Sequence, residues 1–147
     1  MNSLLNPEII RSNFSITGYG SNFIEVNKKR WDHSCIVSTF AEPKLWKPTE
    51  ISQIDQEDLR SVVELRPDVM ILGTGNKQYF LPPDLRTFER IETNAIDKFL
   101  NEKSHNPADY LSIECMTTHA ACRTFNILAA EGRMVVAVLL ISNEKEL

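Results

Sequence analysis

Three polar side chains in the stretch TTHAACRTFNILAAEGR (residues 117–133) are spaced for a common task. His119, Arg123 and Asn126 fall at i, i+4 and i+7, which places them on one face of a helix. Arg123 sits in the first turn, where the helix dipole opposes a positive charge, and Asn126 occupies a mid-helix position that a better helix former would fill. The chemistry such a stripe can do is recognition of an anionic or polar ligand. Helix-start N–H groups attract anions, and Arg123 adds the charge. Gly73-Thr74-Gly75 is a tight turn that leaves an apolar strand-like run, and it is placed to form the other wall of a crevice. The expected binding residues are therefore Gly73, Thr74, Gly75, His119, Arg123 and Asn126. Two plainer readings stand beside this one. The stripe is a solvated helix face, with Arg123 reaching an acidic neighbour such as Glu131. Or it is structural, with Asn126 bonding the backbone of the glycine turn.

Other chemistries are poorly supplied, and no catalytic residue is assigned. Cys115, His119 and Cys122 have the spacing C-x3-H-x2-C, three of the four ligands a structural zinc needs, with no fourth in evidence; no metal or cofactor is expected. Cys122 and His119 are near enough on a helix to act as nucleophile and base, but no orienting carboxylate accompanies them. Gly73-Thr74-Gly75 lacks both the GxxxxGK[ST] phosphate loop and the third glycine of GxGxxG.

The elements that must position these residues follow from hydrophobic patterning. Residues 14–19 (FSITGY) and 23–26 (FIEV), joined by Gly20-Ser21-Asn22, predict a β-hairpin. Lys28-Lys29-Arg30 reads as a polar turn and residues 31–40 as the next strand. An irregular connection follows, with Leu45 and Trp46 tucked beneath it. Residues 55–65 predict a helix capped by Asp55 and stopped at Pro67. Residues 69–72 (VMIL) and 110–116 (YLSIECM) predict buried strands, paired in parallel through a right-handed crossover. The crossover is expected to be a long helix opened by Pro82-Pro83-Asp84, running to residue 103 with Phe88, Ile91, Ala95 and Phe99 on its apolar side. A third helix covers residues 118–131, with Ala121, Phe125, Leu128 and Ala129 facing the core. Gly132 ends it, and residues 133–141 predict the last strand.

The chain has 147 residues, 42% hydrophobic and 24% charged, which suits one α/β domain with a core from about residue 13 to 141. Sixteen basic residues against twenty acidic ones, a net charge of −4, argue against non-specific nucleic-acid binding. Apolar runs are strand-sized, so stable membrane insertion is not expected. The start MNSLLNPEIIRSN has neither the order of a secretory signal nor the composition of a transit peptide. Three cysteines without a CxxC pair fit free thiols in the cytoplasm.

Residues 116–141 (MTTHAACRTFNILAAEGRMVVAVLLI), together with residues 15–27 (SITGYGSNFIEVN) and 72–85 (LGTGNKQYFLPPDL), resemble the Mth-type domain family of unknown function. The pattern carries over at Gly73-Thr74-Gly75, at Ala120 to Thr124, and at Asn126, Leu128 and Glu131-Gly132-Arg133. It departs at Thr117 and His119, where the family usually has an acidic residue and a glycine, and at residues 101–109, which make a longer connection. The resemblance implies a three-layer α/β fold with a mixed central sheet and an N-terminal hairpin region, its last strand antiparallel to the others. It also implies interaction rather than catalysis. The family includes a mitochondrial assembly factor of respiratory complex I, so the expected partner is a protein, with a second copy of the chain also possible.

Overall fold

The computed structural model describes residues 14–90 and 110–142. Its centre is the pair of strands expected to be buried, of which 69–73 is buried on both faces and 110–116 on one, with Ser112 and Glu114 exposed. Strand β6 (Val69–Gly73) lies parallel to β8 (Tyr110–Met116), with Met70 opposite Ile113 and Gly73 opposite Met116. On the other side of β6, β9 (Val135–Leu139) also runs parallel, Ile71 opposite Ala137. The last strand is therefore antiparallel only to β4 (Cys35–Ser38), which corrects the orientation implied by the family resemblance. A packed layer lies on each face of β9, which is why its sequence is an unbroken apolar run. The two-residue β5 (Lys44–Leu45) closes one edge against β4, and β7 (Thr87–Glu89) closes the other against β8. The order is β5-β4-β9-β6-β8-β7.

Alternation along these strands divides the core into two. Met70, Leu72, Val136 and Val138 point to one face, where α1 (Gln56–Val63) packs Leu59, Val62 and Val63 beside Trp46, Ile54 and Leu81. Ile71, Ala137 and Leu139 point to the other, where α3 (Thr118–Ala130) packs Ala121, Cys122 and Phe125. A separate sheet of β1 (Ile16–Gly20), β2 (Phe23–Val26) and β3 (Lys29–Trp31) adds Ile16, Ile24 and Val26 to that second cluster. The result is three layers about a mixed sheet.

Local chemistry sets the ends. Asp55 and Asp58 form a reciprocal capping box at the start of α1. At the end of α3, Gly132 has φ +81°, and N–H groups of Gly132 and Arg133 return to the carbonyls of Ala129 and Leu128, the left-handed stop that glycine favours. Thr117 caps the start of α3 by accepting from Ala120 N–H.

Several expectations change. Lys28-Lys29-Arg30 is not a turn throughout, since Lys29 and Arg30 open β3. The proline pair does open a helix, but α2 (Pro83–Arg86) lasts one turn. Phe88, counted on the apolar side of a long helix, sits instead in β7 opposite Leu111. Its alternation with exposed Thr87 and Glu89 is the period of a strand. The rest of that expected helix, including Ile91, Ala95 and Phe99, lies outside the described residues. Residues 31–40 are not one strand, because the chain turns at Asp32-His33-Ser34 and changes sheets between β3 and β4. Trp46 is buried as expected, whereas Leu45 on edge strand β5 is 64% exposed.

Candidate functional site

The parallel pairing of β6 and β8 brings Gly73-Thr74-Gly75 against the start of α3, as anticipated. The two are joined by a closed set of hydrogen bonds. Thr118 N–H donates to Gly75 O at 2.9 Å, and Gly75 N–H donates to Thr118 Oγ1 at 2.9 Å. The same hydroxyl donates to Leu140 O at 3.0 Å, which ties in the end of β9. Thr74 Oγ1 accepts from Tyr79 N–H at 3.2 Å and donates to Lys77 O at 2.6 Å, folding the next loop back over the turn. Gly73 is required by proximity, since a Cβ there would stand 2.9 Å from Thr118 Cα. Gly75 is required by conformation, at φ +99°. The N–H groups of Thr118, Ala120 and Ala121 all have partners within the chain, which removes much of the attraction of a helix start for an anion.

The polar stripe of α3 is one face, as its spacing requires, and β1 lies across it. Asn126 grips Ile16 in both senses: Nδ2 donates to Ile16 O at 2.8 Å and Oδ1 accepts from Ile16 N–H at 2.9 Å. A carboxamide so placed imitates a neighbouring strand and satisfies the outer edge of β1. Asn126 thus bonds the hairpin and not the glycine turn. His119 Nε2 is 2.7 Å from Gly20 O, and since a carbonyl only accepts, Nε2 carries the hydrogen. Its ring stacks on Tyr19 at 4.6 Å between centroids. Arg123 Nη1 donates to Tyr19 Oη at 3.2 Å. His119, Arg123 and Asn126 are therefore brought together over β1, while Gly73, Thr74 and Gly75 meet Thr118. A cleft of about 30 Å3 lies between the two groups, bordered by Gly20 to Phe23, Asn76, His119 and Ser142, with room for roughly one or two waters.

The three residues of the C-x3-H-x2-C spacing part company. Cys115 packs on the α1 side of the sheet, Cys122 is buried on the α3 side, and His119 turns to the hairpin. Burial pushes the Cys122 thiol up to about 12, and burial with Cys122 beside it does the same for Cys35. Cys122 is accordingly a thiol at neutral pH, not a thiolate nucleophile. We expect a thiol-specific disulfide reagent at pH 8 to leave Cys35 and Cys122 unmodified in the folded protein and to modify all three cysteines once it is unfolded. The same shifts carry a stability consequence. Between pH 9 and 12 the unfolded chain sheds these protons and the folded one retains them, so stability is intact below pH 9 and declines above it. The expected slope is about 1.4 kcal/mol per pH unit per thiol, read from urea midpoints across that range.

Sequence reasoning missed Thr118, Tyr19 and Ile16. The signal for Thr118 was the Thr-Thr pair before the helix, of which only one can be the cap. Tyr19 and Ile16 gave none, because their partners are about a hundred residues away. Asn126→Ala removes both bonds to Ile16 and is expected to cost about 1–3 kcal/mol, measured as a lowered thermal midpoint; an unchanged midpoint would show that the grip on β1 is dispensable.

The profile of a protein family of unknown function (DUF498/DUF598) matches residues 16–140. The chain is 30% identical over 130 residues to a fruit-fly (Drosophila melanogaster) protein named NADH dehydrogenase [ubiquinone] 1 alpha subcomplex assembly factor 3. That match covers 85% of this chain and 57% of the longer relative. Among solved structures, a Bordetella parapertussis protein is similar at 30% identity and TM-score 0.68, over 89% of this chain and 98% of that one. A Bordetella pertussis protein described as a Mth938-like domain is similar at 26% identity and TM-score 0.64, over 88% and 87%. With its family profile matched across most of its length and its layers those of the Mth938-like fold, the chain belongs to the DUF498/DUF598 family.

Proposed function

We propose that this chain is a non-catalytic, cytoplasmic interaction domain that assists assembly of a membrane protein complex of the respiratory complex I kind. The observation that carries the reading is the use to which the polar groups at the mouth of α3 are put. Thr118, His119 and Asn126 are each bonded to the chain's own backbone, and the cleft between them is water-sized. A substrate site needs convergent polar groups with capacity to spare and room for a ligand. An interaction domain needs neither. The likeness to an assembly factor supports the same reading. So does the loop after β6, which Thr74 and Gln78 pin while Tyr79 and Phe80 stand 48% and 67% exposed. Aromatic side chains on a fixed backbone are common anchors of protein interfaces. Among the described residues no helix is long and apolar enough to cross a membrane.

The test is deletion of the gene in its own host, followed by native electrophoresis of membrane complexes. Accumulation of a partly built complex, reversed by the wild-type chain, is the expected result. Undisturbed complexes would refute the assembly role. The ligand alternative, with Gly73, Thr74, Gly75, His119, Arg123 and Asn126 as its site, is tested separately by thermal shift against a panel of metabolites and phosphorylated compounds. A compound that stabilises wild type and not Arg123→Ala would make this a ligand-binding domain with Arg123 in the site and reopen the question of catalysis.

A further inference from the structure

We propose that the outer edge of β3 is a docking strand for an acidic, extended segment of a partner protein, added to the small sheet as a fourth strand. The inference rests on the interaction-domain reading above and specifies the partner's chemistry. β3 is the edge of its sheet, with no strand beyond it among the described residues. Val26 and Lys29 close a two-residue turn, so Arg30, opposite Glu25, directs its N–H and C=O away from β2 in the alternation of an antiparallel ladder. That main-chain pair is what an added strand would bond. The edge is also strongly cationic within an acidic chain. Lys28, Lys29 and Arg30 are consecutive in a protein of net charge −4.

Two features show that these cations are fixed and uncommitted to carboxylates. Lys29 Nζ lies 5.0 Å from the centre of the Trp31 ring and Arg30 Cζ lies 4.0 Å from that of Phe23. Among the described residues no carboxylate pairs with either one or with Lys28. Glu25 accepts from Thr17 Oγ1, and Asp32 pairs with His33. The turn itself is held rigid. Asn27 and Lys28 have φ of 50° and 72°, and they are fastened to β1 through Lys28 N–H to Thr17 Oγ1 and Ser15 N–H to Asn27 Oδ1. Lysines on an edge strand also discourage pairing with other copies of the same chain, but that role needs charge alone. Aromatic platforms under two successive cations and a pinned turn add a defined geometry, which suits a complementary anionic strand.

The test uses the full chain and a fluorescent ten-residue peptide of alternating glutamate and valine, followed by anisotropy and by backbone amide shifts. Expected are amide shifts at Lys29 to Trp31, affinity that falls as salt rises, and at least about a tenfold loss in K29E/R30E. Loss of binding when alternate peptide nitrogens are methylated would establish strand addition. Circular dichroism confirms that the variant is folded, and K29Q/R30Q, with no reversed charge, serves if it is not. The proposal is overturned if the peptide does not bind, if charge reversal or N-methylation leaves affinity unchanged, or if only phosphatidylserine vesicles bind. If complex assembly depends on the chain but is indifferent to K29E/R30E, the docking edge fails and the assembly role stands.

Discussion

Phe125→Ala lowers the free energy of unfolding by about 3–5 kcal/mol, the largest single-residue effect expected in this protein. The ring is fully buried between α3 and the sheet, in the cluster that also holds Ile71, Ala137 and Leu139 from the central strands and Ile16 and Ile24 from the hairpin. Truncation removes apolar contact with both at once. The central strands β6 and β9 that line the cavity are hydrogen-bonded on both sides and cannot move in to fill it. Denaturant unfolding reads the loss. Phe125→Tyr discriminates cavity from ring chemistry: it keeps the volume but buries a hydroxyl, and should fall between alanine and wild type. A Phe125→Ala protein within about 1 kcal/mol of wild type would mean that α3 is not packed on the sheet as described.

The second large effect is at Thr118. Thr118→Val keeps the shape and deletes the hydroxyl, which leaves Gly75 N–H and Leu140 C=O without the partners they have now. Each stranded group costs on the order of 1–3 kcal/mol when water cannot reach it, so a combined loss of at least about 2 kcal/mol is expected. Thr118→Ser keeps both bonds and should lose much less. Near-equality of the valine and serine variants, measured by the same unfolding curves, would show that water replaces the hydroxyl and that the turn, helix and last strand are not locked together through it.

What could be read from the sequence depended on the range of the contact involved. Strand 69–73 announces itself as an apolar run, the hairpin by Gly20-Ser21-Asn22, and the ends of two helices by Asp55 and Gly132, whereas strand 110–116 is legible by its alternation, Leu111 and Ile113 buried between exposed Ser112 and Glu114. These are local signals. The helix expected from residue 83 gives way to a strand after one turn because Phe88 fits both a helical and an alternating period, and its pairing with Leu111 is a distant contact that no local pattern encodes. The candidate site divides in the same way. Spacing alone put His119, Arg123 and Asn126 on one face. What that face meets was hidden, because Ile16, Tyr19 and Gly20 lie on a strand about a hundred residues earlier. A polar stripe on a helix reads as solvated until the element covering it is known.

The position of β9 has a consequence for how the protein is made. β5 and β4 to one side, and β6, β8 and β7 to the other, meet in the main sheet only through β9, the last of its strands among the described residues to be synthesised. Until residues 135–139 emerge, β4 and β6 each present an unpaired edge, and Ile71 and Val37 have no strand between them. The core therefore cannot close before that segment is available. Closure then comes in one step dominated by long-range pairing, which is slow and exposes apolar surface meanwhile. A chain cut before residue 135 would keep two half-sheets with nothing to join them.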